Sequence, residues 1–69
     1  MRTIKELREA ARITQKELAG ILGVSPYAVR SWEQSSYPPT ESIRIRICEF
    51  FDVKSTEVDW PSESYGSDG

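Results

Sequence analysis

Apolar positions recur with a helical period on both sides of a glycine in the first half of the chain. Before Gly23, the apolar residues of segment 18–22 have the spacing of one helix face, and after it Val29 and Trp32 lie one helical turn apart. The apolar positions of the first segment are Leu18, Ile21 and Leu22. Because glycine adopts a left-handed conformation without steric cost, Gly23 is predicted to end the first helix. The pattern therefore predicts two short helices joined by a tight turn.

The residues beside this turn favour a close crossing of the two helices. Ser25 can cap the second helix with its hydroxyl group, and Pro26 stands at the first helical position, where a missing N–H costs least. Ala19 is small, as a close helix crossing requires. This second helix of the pair, which is the third helix of the chain, is expected to span about residues 26–34.

Capping signals predict where the earlier helices begin. Thr3 is followed three residues later by Glu6, and Thr14 by Glu17, and each pair has the spacing of a capping box. The boxes begin the first and second helices of the chain. The apolar positions expected to face the core from the helix that begins at Thr3 are Ile4, Leu7 and Ala11. Two consecutive prolines within residues 35–39 predict a loop after the third helix.

Segment 40–51 carries two competing patterns. Thr40 can cap a helix that runs to Phe51, but residues 43–47 alternate between Ile and Arg, which is typical of a half-buried strand. The residues that would share a helical face are Ile43, Ile47, Phe50 and Phe51. A helix is favoured because a lone strand would have no partner, and the strand is the alternative.

The last part of the chain changes in composition. Residues 55–58 predict another short helical turn, with Val58 and Trp60 as apolar anchors, and Pro61 ends it. Residues 61–69 are mostly small and polar and cannot bury enough apolar surface to order themselves, so they are expected to form a disordered acidic tail.

The spacing of these residues resembles the Cro and CI repressor type of helix-turn-helix protein, also called the XRE family, over about residues 4–60. The matching positions are Gln15, Ala19, Gly23, Val24, Val29, Trp32 and Glu33. The resemblance implies an all-α domain over residues 1–60, a compact bundle of four to five short helices similar to the lambda repressor DNA-binding domain. The expected core is Leu7, Leu18, Leu22, Val29, Trp32, Ile47 and Phe51.

The charge of the chain is unevenly distributed. The formal net charge of the 69 residues is −2. Residues 1–54 hold all nine Lys and Arg against seven acids, a balance of +2, whereas residues 55–69 hold four acids and no Lys or Arg. The first segment is thus more positive than the whole chain, although +2 is modest for a tight DNA binder.

The residue inventory argues against an enzyme. The chain has no His and one Cys, so it can form neither an internal disulfide nor a His-based metal site. It also lacks a nucleophile–base pair and a Gly-rich phosphate loop, and no enzyme activity, cofactor, metal or small-molecule substrate is expected. No apolar run approaches the ~20 residues of a membrane span, and no signal peptide pattern is present. A cytoplasmic location, in a bacterial cell or a phage-infected host, is expected.

The outward face of the third helix is the candidate DNA-binding surface. Its residues are Tyr27, Arg30, Ser31 and Gln34, with Ser25 and Pro26 at the helix N-terminus. A helix fits the major groove, where Arg30 can pair with guanine and Tyr27 can contact a thymine methyl group or a phosphate. The alternative is an ordinary solvated helix face.

The resemblance adds two expectations around this helix. It implies that Gln15 holds a DNA phosphate at a helix N-terminus. Lys16 and Arg12 are expected, from their charge, to be further phosphate partners. The resemblance also implies a structural ion pair between Arg8 and Glu33. Two features depart from the family pattern, because the loop over residues 35–39 has no Lys or Arg and proline stands at position 26, where the family often has glutamine.

A second surface is expected on the fourth helix. Ile45 points away from the expected core and is predicted to join a small apolar patch that binds a protein partner. The predicted interface residues are Tyr37, Ile45, Val58 and Trp60, with Arg44, Arg46 and Glu49 around them. The alternative is a merely exposed Ile45 with Trp60 folded onto the core. Cys48 is expected to be a small buried hydrophobe.

Two functions are compatible with these surfaces. The first is a DNA-binding transcriptional regulator, a repressor or Cro-like switch protein, which binds double-stranded operator DNA as a homodimer or with a repressor protein. The second is a modulator or antirepressor with the same fold that acts mainly by binding a partner repressor.

Overall fold

The computed structural model describes residues 1–34 and 37–61, which form four α-helices and one short 3-10 helix. The helices are α1 (Ile4–Ala10), α2 (Gln15–Leu22), α3 (Pro26–Glu33) and α4 (Glu41–Phe51), and the 3-10 helix spans Ser55–Glu57. The all-α prediction is confirmed. The alternative strand over residues 43–47 is wrong, because these residues lie inside α4.

The predicted capping boxes define the first two helix starts. The Thr3 hydroxyl accepts a hydrogen bond from the Glu6 backbone N–H at 3.1 Å, and the Glu6 carboxylate accepts one from the Thr3 N–H at 2.9 Å. Thr14 and Glu17 make the same pair of bonds at 3.0 and 2.7 Å. Each box satisfies two N–H groups that have no partner within the helix, which fixes where α1 and α2 begin.

One apolar cluster holds the helices together. Its buried members are Ile4, Leu18, Ala19, Leu22, Val29, Trp32 and Ile47. Leu7 is also buried, and Phe51 is half-buried against the edge of the cluster. The predicted core is thus confirmed, with Phe51 at its margin rather than inside it. The most extensive helix contact joins α2 and α3.

Three residues expected to face the core are exposed. Ile21 lies at the margin of the α2 face, because Leu18, Ala19 and Leu22 already fill the contact with the neighbouring elements. Phe50 packs edge-on against Phe51, with ring centroids 4.9 Å apart, and otherwise faces outward. Ala11 is exposed because α1 ends at Ala10.

The two ends of the described chain meet beside α1. The Asp59 N–H donates to the Arg2 carbonyl at 2.7 Å, the Arg2 N–H donates to the Glu57 carbonyl at 3.3 Å, and Arg2 and Val58 form an isolated parallel bridge. This connection buries Val58. Residues 62–69 of the predicted tail, and Ser35 and Ser36 of the predicted loop, lie outside the described residues.

Candidate nucleic-acid interface

The turn between α2 and α3 has the geometry that its sequence predicts. Gly23 has φ 75° and ψ 31°, a left-handed conformation, and its N–H donates to the Ala19 carbonyl. The Val24 N–H donates to the same carbonyl at 3.0 Å. The Ser25 hydroxyl then accepts from the Ala28 N–H at 3.2 Å, and Pro26 takes the first position of α3. These bonds set the direction in which α3 leaves α2.

An arginine from α4 supports the same turn. The Arg46 Nη1 donates to the Leu22 carbonyl at 3.1 Å, at the C-terminus of α2, where the helix dipole favours a positive charge. This bond joins α4 to the last turn of α2. The sequence pattern gave no signal for it, because the two residues are 24 positions apart.

The two glycines of this region are expected to respond oppositely to the same substitution. Gly23→Ala should lower the free energy of unfolding by about 1 kcal/mol, because alanine must adopt the left-handed φ of 75°. Gly20→Ala should raise it by about 0.5–1 kcal/mol, since an added Cβ meets nothing within 4 Å and stiffens the unfolded chain. Urea denaturation of both variants checks this, and a loss of stability in Gly20→Ala would contradict it.

The outward face of α3 carries large polar side chains. Tyr27 is 71% exposed, and Arg30 and Gln34 are also exposed. Ser25 and Pro26 are exposed at the helix N-terminus. These five residues therefore lie where the sequence placed them, along one accessible side of a helix that can enter a major groove.

Ser31 does not belong to this face. The prediction that it points outward is wrong, because Ser31 is 4% exposed. On the helical projection of α3 it stands between Tyr27 and Ala28, away from the stripe of Val29 and Trp32, so its burial is set by the elements packed against α3 and not by its position on the helix. A small side chain fits there, and the helical projection alone could not show that this side of α3 is covered.

Arg8, Gln15 and Glu33 form a hydrogen-bonded network beneath α3. The Arg8 Nε donates to Glu33 Oε2 at 2.6 Å and the Arg8 Nη2 donates to Oε1 at 3.0 Å, a bidentate ion pair. The Gln15 Nε2 donates to Oε1 at 2.9 Å, and the Arg8 Nη1 donates to the Ile13 carbonyl at 2.9 Å. The network links α1, α2 and α3 and confirms the expected Arg8–Glu33 pair.

The electrostatics of the network favour the charged forms of both partners. Burial of Glu33 opposes ionisation, but the hydrogen bonds from Arg8 and Gln15 and the nearby positive charges outweigh it and lower the Glu33 pKa below 4.5. The hydrogen bond to Glu33 raises the pKa of Arg8, against a smaller opposing effect of burial. Glu33 is therefore an acceptor of three hydrogen bonds at neutral pH.

The network changes what can be expected of Gln15. Its amide nitrogen donates one N–H to Glu33, so of its two N–H donors only the second is available to a phosphate in this conformation. Gln15 nevertheless begins α2 and is half-buried, with Lys16 exposed beside it. Arg12 is exposed in the connector, with a φ of 60°. Lys16 and Arg12 thus remain accessible cations near the N-terminus of α2.

The predicted partner-binding residues are not equally accessible. Ile45 is 53% exposed, whereas Tyr37 and Trp60 are half-buried and pack against the core. The Trp60 indole N–H donates to the Ser55 carbonyl at 2.9 Å. Val58 is buried, so its inclusion in the interface is wrong, because the bridge to Arg2 turns it inward.

Other chemistry is sparse in the described part of the chain. Residues 1–34 and 37–61 hold no group of three His, Cys, Asp or Glu side chains placed to bind a metal ion. Cys48 is half-buried, and burial raises the pKa of its thiol, which disfavours a reactive thiolate. Over the same residues no helix is both long and apolar enough to cross a membrane.

Two short helices joined by a tight turn, the second with an accessible polar face, define the helix-turn-helix class. In this four-helix domain α2, the left-handed turn at Gly23 and α3 have that arrangement. The family model described as "Helix-turn-helix" matches residues 4–58. The chain belongs to this helix-turn-helix family, the Cro and CI or XRE type.

Three curated proteins illustrate the relationship. An uncharacterized HTH-type transcriptional regulator of Bacillus subtilis, YgzD, is 32% identical over 87% of this chain and 91% of its own length. An uncharacterized HTH-type transcriptional regulator of Methanocaldococcus jannaschii is 33% identical over 80% of this chain and 83% of its own length. The Type II methyltransferase M.SsoII of Shigella sonnei is 42% identical over 74% of this chain but only 14% of its own length. No solved structure matches the chain significantly.

Proposed function

We propose that the protein is a transcriptional regulator that places α3 in the major groove of double-stranded operator DNA and acts as a repressor or Cro-like switch. The observation that carries this proposal is the outward face of α3. Tyr27, Arg30 and Gln34 are exposed there, and their side chains make no hydrogen bond within the described residues. Side chains that are held on a rigid helix and have no hydrogen-bond partner in the protein can bind the edges of the bases.

The proposed contacts divide into those that select bases and those that hold phosphates. Arg30 pairs with guanine, Tyr27 packs on a thymine methyl group and Gln34 bonds an adenine or a phosphate. The N-terminus of α2 faces a phosphate with the second N–H of Gln15 and the ammonium group of Lys16. Glu33 orients Gln15 for this contact through their 2.9 Å hydrogen bond.

The relatives support the regulatory part of the proposal. Two of them are named as transcriptional regulators and align over most of their own length. The match to the methyltransferase covers a small part of that protein, so we propose no enzyme activity for this chain. A cytoplasmic location follows from the proposed function.

Arg30→Ala and Gln15→Ala are expected to weaken DNA binding in different ways. Arg30→Ala should relax base preference at one position and cost about 1–3 kcal/mol of binding free energy, whereas Gln15→Ala should weaken binding to all sequences alike. Lys54→Ala, which removes a charge far from α2 and α3 in the sequence, is the matched control and should change affinity little. Selection from a randomised DNA library, followed by titration at fixed salt, measures both effects.

Two outcomes of this experiment would contradict the proposal. One is a wild-type protein that selects no sequence from the library at low salt. The other is an Arg30→Ala variant with the base preference of the wild type at every position. Circular dichroism of each variant verifies that the helices are intact, so that loss of binding is not loss of the fold.

A modulator or antirepressor that binds a partner repressor is the second candidate function. The exposed Ile45 on α4, away from α3 in the sequence, favours a protein contact. An Arg30→Ala variant that still regulates its target in cells would favour this candidate over DNA binding.

A further inference from the structure

Arg46 is exposed on α4, yet its guanidinium group lies against the turn between α2 and α3. Besides donating to the Leu22 carbonyl, its Nη1 would be 3.7 Å from a Cβ atom built on Gly23, which is an ordinary van der Waals distance. The guanidinium group therefore covers both the last residue of α2 and the glycine that ends this helix. None of the DNA contacts proposed above uses this arginine.

The Leu22 carbonyl needs a hydrogen-bond donor from outside α2, because Leu22 is the last residue of that helix. The next two N–H groups, those of Gly23 and Val24, both donate to the Ala19 carbonyl instead. Within the described residues, no main-chain N–H donates to the Leu22 carbonyl. Its bond to Arg46 is partly buried, and a partly buried carbonyl without a donor is costly. Arg46 thus supplies from another helix the donor that the main chain does not.

The same bond restrains α4 relative to the helix-turn-helix. Within residues 1–34 and 37–61, no other hydrogen bond joins α4 to α2 or α3. The neighbouring Ile47 is fully buried in the shared core and anchors the backbone from which Arg46 extends. Apolar packing is non-directional, whereas a hydrogen bond weakens steeply when its angle or distance changes. The Arg46 bond therefore opposes sliding and rotation of α4 against the end of α2.

The positive charge of Arg46 is directed toward the protein. It lies at the C-terminus of α2, where the carbonyl groups carry a partial negative charge. Lys16 lies at the opposite end of the same helix, where the N–H groups attract anions, and it is exposed. The two cations beside α2 therefore differ, because Lys16 can hold a phosphate whereas the charge of Arg46 is already matched within the protein.

We propose that Arg46 is a positioning residue for DNA binding, which fixes the α2–α3 turn against α4 and so sets the direction in which α3 enters the major groove. Arg46 does not itself contact DNA. It acts through the turn on Tyr27 and Arg30, because a small rotation at the start of α3 displaces the side chains along its outward face. This role rests on the proposed binding of DNA by α3 and adds to it a residue from outside the helix-turn-helix.

The salt dependence of binding separates a positioning residue from a phosphate contact. Arg46→Met removes the donor and the charge but keeps an unbranched side chain, and it should lower affinity for the selected sequence about tenfold, as expected for one lost hydrogen bond from a charged group. The slope of log affinity against log salt concentration should equal that of the wild type, because no phosphate contact is lost. Lys16→Met, the matched control, should lower this slope by about 1.

Amide hydrogen exchange of the free protein tests Arg46 without DNA. In Arg46→Met the N–H groups of Gly23 and Val24 should exchange about tenfold faster than in the wild type, because the turn opens more often. The Leu7 N–H, which is bonded within α1, should exchange at the wild-type rate. Lys54→Met, which removes a charge from a residue outside the four helices, should change neither the exchange at the turn nor the affinity for DNA.

Three outcomes would overturn the role of Arg46. A slope that falls by about 1 in Arg46→Met would make this arginine a phosphate contact. An affinity of the folded variant equal to that of the wild type, whatever its free energy of unfolding, would make it a structural residue only. Exchange at the turn no faster than in the wild type would show that the bond does not hold the turn. A wild type that selects no DNA sequence would instead contradict the proposed function, and the role of Arg46 in DNA binding with it.

Discussion

Glu33→Gln is expected to lower the free energy of unfolding by about 3 kcal/mol at neutral pH. The substitution keeps the shape of the side chain but removes the charge that accepts three hydrogen bonds from Arg8 and Gln15. The side chains of Arg8 and Glu33 are only 12% and 4% exposed, so little water can reach the Arg8 guanidinium and take the place of the lost carboxylate. We expect the lower end of the range for broken buried pairs, because Arg8 keeps its hydrogen bond to the Ile13 carbonyl.

The effect of this substitution should depend on pH in one direction. The folded-state pKa of Glu33 lies below its ordinary value of 4.5, so the unfolded chain takes up the proton first as pH falls. The stabilisation by the ion pair is thus fully present well above pH 4.5 and is lost as pH falls through the folded pKa. Arg8 remains charged throughout, because its hydrogen bond to Glu33 raises the pKa of a guanidinium that is already charged over this whole pH range.

Urea denaturation of wild type and Glu33→Gln between pH 7 and pH 3 measures this difference. Glu9→Gln is the matched control, since Glu9 is an exposed carboxylate on α1. It should change stability by less than about 0.5 kcal/mol. If Glu33→Gln were no more destabilising than Glu9→Gln, or if the gap to wild type grew as pH fell, the network would not hold the three helices together as described.

Leu22→Ala is expected to cost about 2–5 kcal/mol of stability. Leu22 is 1% exposed in the cluster that α2 shares with α3 and α4, and removing its branched end leaves a cavity that these short helices can only partly close. A small domain has little stability in reserve, so the variant should melt at a much lower temperature than the wild type.

The neighbouring residue provides the control for this substitution. Ile21→Ala removes a similar apolar side chain from the same helix, but Ile21 is 46% exposed and should cost less than about 1 kcal/mol. Thermal denaturation followed by circular dichroism compares the two. Equal losses would contradict the assignment of Leu22, rather than Ile21, to the core.

Local chemistry made the helix boundaries and the turn predictable. A capping box depends on residues three positions apart, and a left-handed glycine depends on one residue, so Thr3, Thr14 and Gly23 could be interpreted without knowledge of the fold. The Ile–Arg alternation of residues 43–47 indicates a strand by itself, and a helix was favoured only because a lone strand would have no partner. The ion pair between Arg8 and Glu33 was predicted from the family resemblance, since the 25 positions between them hide it from local patterns.

Contacts between elements limited the rest of the prediction. Helical periodicity gives the direction of a side chain relative to its own axis, but the angle at which a neighbour packs decides whether Ser31 is buried and Phe50 exposed. Val58 was expected on the surface, but a bridge to Arg2 buries it. Local patterns cannot predict this bridge, because it joins residues near opposite ends of the chain. The bond from Gln15 to Glu33 was missed for the same reason, although both residues are correctly placed on their helices.

The most direct test of the proposed DNA-binding face is a nuclear magnetic resonance titration of the labelled protein with a sequence that it selects from a random library. We expect the largest amide and side-chain shifts at Tyr27 and Arg30 on α3 and at Gln15 and Lys16 at the start of α2. Shifts confined to α4 around Ile45, with α3 unchanged at saturating DNA, would contradict the placement of α3 in the major groove.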